Sequence, residues 1–332
     1  MMPNMPTLRD FLEKINIKAE VAWDEPMSRH TTFRIGGPAD ALVAPRSRED
    51  LLALLGAARA EGIPCFILGG GANLLVGDKG IRGLVVETRL LNSIEPARDE
   101  GGYLLVAEAG LAIDQLCEFA LGFGLAGLET FYGMPGSVGG AVFMNARCYE
   151  IEMADRLAWT EGIAIASLAG EAGDARPASG APEPQVVRHD MNREEWAYKR
   201  SPFQGGGSLE GEVVLAAAFR LALGDRGTIE RTMAEKRHDR EAKGHYRLPS
   251  AGSVFKNDRS LGRPTGKILD ELGLRGRRVG GAMVSEWHAN IFVNSGAATA
   301  ADMRALIELA QREAQERLGV GLEPEVLFAG EF

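Results

Sequence analysis

Two glycine-rich stretches set the narrowest limits on how this chain folds. In 68-LGGGANLLVGD-78 a strand-like run breaks into Gly69, Gly70 and Gly71. In 130-TFYGMPGSVGGAVFMNA-146, Gly133, Gly136, Gly139 and Gly140 stand among Pro135, Ser137 and Asn145 before an apolar segment. Without a Cβ, backbone N–H groups come close to an anion, and a helix behind such a loop turns its N-terminus toward it. A single loop of this kind serves as well for a tight turn or a close packing contact; two in one domain shift the balance toward a diphosphate site. Neither fits the dinucleotide Rossmann fingerprint, since G-x-G-x-x-G would need glycine at Leu74, and Gly133, Gly136 and Gly139 are spaced by threes. The P-loop fails too: the glycine required before Gly266-Lys267 is Leu261, and Ile268 replaces Ser or Thr. The loops predict a diphosphate-binding domain of another kind.

The sequence around them alternates β-rich and helical patterns. Strands are expected at 40–45, at 63–75 breaking into the glycine loop, at 83–88 and at 103–110. Helices are expected at 46–62 and at 112–123, where Ile113, Leu116, Cys117 and Ala120 recur at helical spacing, with another behind the second glycine loop. Residues 168–187, rich in Ala, Gly and Pro, read as a surface loop. A strand at 210–225 closes the first domain and a helix at 228–244 leads out of it. Beyond lie a helix near 264–272, a strand at 289–294 and a long helix from about 300 to 318, N-capped by Thr299 with Met303, Leu306 and Ile307 facing inward.

With 332 residues the chain is long for one core, which favours two domains. A formal net charge of −9 without a dense Lys/Arg tract argues against nucleic acid as the main partner and for a small molecule. The N-terminus lacks a secretory pattern and no apolar run is long enough to span a bilayer, so a cytoplasmic protein is expected. Cys65, Cys117 and Cys148 are scattered without C-x-x-C spacing, and no His/Cys/Asp/Glu set has metal-ligand spacing, so neither a disulfide framework nor a metal is predicted.

Four polar clusters offer chemistry. In 250-SAGSVFKN-257, Ser253 lies among small residues with Lys256 and Asn257 behind it; A-G-S-V-F is no nucleophile elbow, which disfavours a hydrolase. Such a hydroxyl either bonds its own backbone or delivers a proton to a carbanion. In 323-EPEV-326, Glu323 and Glu325 precede a short β-like run and are either edge residues or acids. Tyr198, Lys199 and Arg200 form either a solvated turn or a carboxylate or diphosphate clamp. His288 precedes an apolar strand, where a structural role is the commoner one.

As an ordered set, 31-TTFRIGGPAD-40, 68-LGGGANLL-75, 133-GMPGSVGGAVFMNA-146, 249-PSAGSVFKN-257, 288-HANIFVN-294 and 322-LEPEV-326 resemble the flavin-dependent UDP-N-acetylenolpyruvoylglucosamine reductases of peptidoglycan synthesis over nearly the whole chain. The resemblance implies an α+β fold: an FAD-binding domain of the p-cresol methylhydroxylase/vanillyl-alcohol oxidase type with two subdomains over 1–225, then a smaller α+β substrate domain over 226–332. It implies FAD and NADPH as cofactors, a UDP-sugar substrate, no membrane partner and a monomer. FAD would lie against Arg34, Gly69, Gly70, Gly71, Ala72, Asn73, Leu74, Gly133, Pro135, Gly136, Ser137, Gly139, Gly140 and Asn145. Hydride would pass from NADPH through the flavin to the enolpyruvyl ether. Ser253 would protonate the neighbouring carbon, Glu325 would stabilise the intermediate, and Tyr198, Arg200, Lys256, Asn257 and His288 would contact the sugar nucleotide. The alternative is another flavin oxidoreductase of the same fold acting on a different substrate.

The chain departs from that pattern in places. Tyr198-Lys199-Arg200-Ser201 stands where the family has Y-R-x-S, so Lys199 takes the slot of the arginine that polarises the substrate carboxylate, keeping its charge without the bidentate fork. The family's M-N-A-G-A-Y-G is here Met144-Asn145-Ala146-Arg147-Cys148-Tyr149-Glu150, and Ala72 replaces a serine. Lys236, Arg237, Arg240 and Lys243 are candidates to hold the UDP diphosphate.

Overall fold

The strand Pro38–Pro45 runs into a helix because Ser47 stops it: its side chain accepts the N–H of Asp50, capping the helix Arg48–Ala60. Leu51, Leu54 and Leu55 on that helix are buried against Ala41, Val43, Leu84 and Val86, the inward faces of the strands it covers. Burying each such leucine contributes about 1.5–3 kcal/mol. The computed structural model describes residues 7–168 and 185–332; of the loop expected over 168–187, residues 169–184 lie outside the described residues.

The chain divides into two units. One comprises the described residues of Met1–Asp24, Asp40–Gly70 and Arg82–Met233. It holds a four-stranded sheet in the order Ala19–Pro26, Pro38–Pro45, Ile81–Glu87, Cys65–Leu68, whose last two strands are parallel. It also holds an antiparallel sheet in the order Val187–Asp190, Leu157–Ala164, Glu212–Leu223, Gly102–Glu108, Ile94–Asp99. The helices Ile113–Gly122 and Val138–Phe143 share a core with this sheet, through Ile113, Leu116, Cys117, Ala120, Val138 and Val142. The expected strand at 63–75 is two strands, Cys65–Leu68 and Leu74–Val76, with the glycines between them.

The other unit comprises Glu25–Ala39, Gly71–Ile81 and Ala234–Phe332. Its antiparallel sheet runs Ser250–Ser253, Ile291–Asn294, Ala282–Val284, Arg278–Val279. A separate parallel pair joins Leu74–Val76 to Leu327–Ala329. Thr299 caps the helix Ala300–Leu318 in a reciprocal box with Asp302, and Met303, Leu306 and Ile307 are buried on its inner face. Phe33, Ile35 and Leu75, far upstream in sequence, are part of the same core as these helical residues. No helix among the described residues is long and apolar enough to cross a membrane.

Candidate active site

Within the second unit, Ser253 ends a strand that carries a bulge. The register with Ile291–Asn294 shifts between Ser250 and Ser253, and Gly252 within the bulge has φ +74°. A bulge re-aims the side chains after it. Ser253 is half-buried, and its hydroxyl makes no hydrogen bond to another described residue. The backbone behind it is clasped by Asn290, which is 1% exposed. Asn290 O accepts the N–H of Val254 at 2.8 Å, its Oδ1 accepts that of Phe255 at 3.0 Å, and its Nδ2 donates to Phe255 O at 2.8 Å. Asn290 is a functional residue that the sequence motifs do not single out. The signal was an amide inside the apolar run Ala289-Asn290-Ile291, which when buried has to be satisfied.

The same strand brings in Glu325. Its N–H donates to Val254 O at 2.7 Å, Pro324 bridges Phe255, and Lys256 N–H donates to Glu323 O at 2.9 Å. Ser253 and Glu325 thus sit one residue apart across a paired backbone. Asn73 belongs to this cluster too, donating from Nδ2 to Glu325 O at 3.0 Å and accepting the N–H of Leu327 at its own carbonyl. Lys256 is ion-paired to Glu323 at 2.6 Å, and Asn257 Oδ1 accepts the N–H of Thr265. Arg34 is exposed at φ +53° and its carbonyl accepts from Asn294.

The first unit holds the glycine contacts. A Cβ on Gly70 would stand 2.6 Å from Gly136 Cα, and one on Gly69 would meet Ser137 Oγ at 2.6 Å. One on Gly139 would meet Ala109 Cβ at 2.8 Å. Close packing, the alternative weighed from sequence, therefore holds for these three. Gly140 differs, since only Ser137 Oγ lies near, at 3.5 Å. Ser137 caps the following helix and also accepts the N–H of Gly70 at 3.2 Å. Among the described residues, the N–H groups of Gly136 and Ser137, and separately those of Gly71, Ala72 and Asn73, have no protein acceptor. Gly70 and Pro135 are exposed, while Gly133 and Leu74 are buried. Asn145 is fully buried, its amide spent on Glu152, Ala197 O and the N–H of Ala154.

Tyr198 and Lys199 form the tip of a tight turn in which Ala197 and Arg200 exchange both backbone hydrogen bonds. Lys199 has φ +56°, a left-handed conformation that costs a non-glycine residue about 1–2 kcal/mol. Lys199 is half-buried and Arg200 exposed.

His288 and His245, in the second unit, lie among cations. Burial, then Lys243 and Arg275, hold His288 below the usual histidine value against the opposing Asp270, and its Nδ1 accepts the N–H of Asn290. Burial, then Arg240, His288 and Lys243, push His245 down to about 4 against the opposing Asp239. On the helix Arg226–Ala242, Arg237 pairs with Glu241, and just past its end Lys243 pairs with Asp239. The neutral form of His245 is thus preferred in the fold. Between about 4 and the unfolded value of 6.5 the unfolded chain binds the extra proton, so stability rises with pH through that window and is lost as pH falls. Urea melts at pH 4.5 and 7 are expected to show a steeper loss for the natural chain than for His245→Asn. The difference should approach at most one proton, about 1.4 kcal/mol per pH unit; parallel loss in both proteins would contradict it.

Residues 244–329 match the family described as UDP-N-acetylenolpyruvoylglucosamine reductase, C-terminal domain, and residues 39–163 match an FAD binding domain. The chain is 39% identical to the UDP-N-acetylenolpyruvoylglucosamine reductase of Treponema denticola, covering 93% of each, and 42% identical to that of Rubrobacter xylanophilus, covering 93% of this chain and 95% of the relative. This chain belongs to the UDP-N-acetylenolpyruvoylglucosamine reductase family. The crystal structure of the family enzyme from Thermus caldophilus superimposes with a TM-score of 0.71 at 31% identity, over 95% of this chain and all of that one. The fold class expected from the sequence, an FAD-binding α+β architecture followed by the reductase family's C-terminal domain, stands.

Proposed function

We infer that this chain is an FAD-dependent oxidoreductase that reduces the enolpyruvyl ether of UDP-N-acetylenolpyruvoylglucosamine to UDP-N-acetylmuramate at the expense of NADPH, supplying peptidoglycan precursor. The observation that carries the reading is the pairing of the Ser253 strand with Glu325 through Val254, in a chain of this family. Within the first unit, the N–H groups of Gly136 and Ser137, which no described residue accepts, fit the diphosphate of FAD. FAD, when bound, would supply the route by which hydride passes from NADPH to the terminal enolpyruvyl carbon. The electron pair left on the neighbouring carbon then takes a proton from Ser253, whose hydroxyl is regained from solvent. An aliphatic hydroxyl is a weak acid and protonates only a strongly basic centre, which such a carbon is. Glu325, acting as an acid, is assigned to stabilise the negative charge that develops there, and Lys199 to polarise the carboxylate beside it. Because that charge exists only during reaction, the Glu325 assignment lowers the barrier rather than merely tightening binding, whereas Lys199 meets a carboxylate already charged in the bound substrate. Residues 1–225 are assigned to the cofactor and 226–332 to the sugar nucleotide, in a monomer.

The purified protein is expected to be yellow, to bleach with NADPH in the absence of oxygen, and to recolour on addition of the enolpyruvyl sugar. A protein that takes up no FAD, or one bleached by an alcohol and not by NADPH, would overturn the assignment.

A further inference from the structure

One buried carboxylate supports the turn that carries Lys199. The Glu152 side chain is 7% exposed and is flanked by two arginines and an amide. Its Oε1 accepts from Arg147 at 3.0 Å, and its Oε2 from Asn145 Nδ2 at 2.9 Å and from Arg193 at 3.3 Å. Each of these three donors also reaches one of three successive residues. Arg193 donates to Trp196 O at 2.9 Å, Asn145 donates to Ala197 O at 2.8 Å, and the Arg147 guanidinium lies 5.9 Å from the centre of the Tyr198 ring. Lys199 comes next in the chain. Behind it, Gln204 Nε2 and Ser201 Oγ both donate to Phe143 O, at 2.7 and 2.6 Å.

The backbone here is held in costly conformations. Asn145, Tyr149 and Lys199 are three of the six non-glycine residues with positive φ among those described, and such conformations persist only where the surroundings over-determine them. Glu152 is itself fixed, since its N–H donates to Asp155 Oδ2 at 2.9 Å. Breaking one partner of a buried ion pair leaves the others uncompensated, so the three arms depend on this carboxylate together.

We propose that Glu152 is a positioning residue for Lys199, setting through Arg193, Asn145 and Arg147 where the Lys199 ammonium meets the carboxylate of the substrate. The inference rests on the reading of Lys199 as the carboxylate-binding cation. Glu152→Gln preserves volume but turns an N–H₂ group toward donors, so the turn loses its support while the core keeps its packing.

The test is calorimetric titration of the oxidised holoenzyme with two sugars: UDP-N-acetylenolpyruvoylglucosamine, and UDP-N-acetylglucosamine, which lacks the carboxylate. Lys199→Ala is expected to weaken the first by about tenfold and leave the second within about twofold. Glu152→Gln is expected to show the same discrimination, and to add less than about twofold in the Lys199→Ala background, because coupled residues are not additive. Equal weakening for both sugars, or the full Glu152→Gln effect in the absence of Lys199, would reduce Glu152 to a folding residue and overturn the proposal. A Lys199→Ala protein that does not discriminate between the sugars overturns the reading of Lys199 first, and the proposal with it. Should Glu152→Gln fail to fold, Arg193→Met, on a side chain 52% exposed, runs the same cycle with the same expected outcomes.

Discussion

Replacing Ser253 with alanine is expected to leave reduction of the bound flavin by NADPH within about twofold, while slowing its reoxidation by the enolpyruvyl sugar by about 10²–10⁴-fold. The asymmetry follows from where the proton is needed. The NADPH half of the cycle moves hydride onto the cofactor and asks nothing of a serine hydroxyl; the sugar half builds negative charge on carbon and ends only when that carbon is protonated. The structure gives the substitution a clean background. Ser253 Oγ bonds to no other described residue, and the backbone at 254 and 255 is held by Asn290 whatever side chain stands at 253. Alanine therefore removes the hydroxyl without loosening the strand. Stopped-flow absorbance of the two half-reactions measures both rates, and equal slowing of both would dissociate Ser253 from proton delivery.

The second large effect separates the two reasons a chain has for using glycine. Gly70→Ala is expected to yield protein that purifies with little flavin and unfolds at a lower temperature. Its Cβ would meet backbone atoms, Gly136 Cα at 2.6 Å and Ser137 N at 2.9 Å, and no flexible side-chain end is there to yield. Overpacking of this kind costs about 1–3 kcal/mol. Gly140→Ala meets only Ser137 Oγ at 3.5 Å, inside a helix where alanine is the better former. It should keep the unfolding temperature of the flavin-free protein and lose flavin alone, if the bare face of Gly140 is there for the cofactor. Flavin content per chain together with calorimetric unfolding distinguishes the two; full flavin in both variants would remove these glycines from the cofactor site.

Much of this was legible because the responsible signals are local. Ile113, Leu116, Cys117 and Ala120 recur at helical spacing and are all buried, and Thr299 stands three residues before the Asp302 that completes its box. What stayed hidden depends on partners far apart in sequence. Asn290 clasps residues 35 positions upstream, and Glu152 reaches Arg193 across 41 positions. Neither contact leaves a periodic trace, since one buried polar side chain per element looks like noise in an apolar pattern. The glycine loops signal the anion they leave room for. Their packing on one another follows from the same missing Cβ, and sequence alone does not separate the two causes.

The parallel pairing of Leu74–Val76 with Leu327–Ala329 has a consequence for how the protein is made. A chain leaving the ribosome exposes residues 74–76 long before their partners exist, and Phe33 and Ile35 wait as long for Met303, Leu306 and Ile307, which share their core. Synthesis from the N-terminus thus leaves the second unit unfinished until translation is nearly over, with apolar surface open to chaperones or to neighbouring nascent chains in the meantime. For the same reason the boundary between the two matched regions is no place to cut: a fragment beginning near 244 would leave behind Phe33, Ile35 and Leu75, part of its own interior.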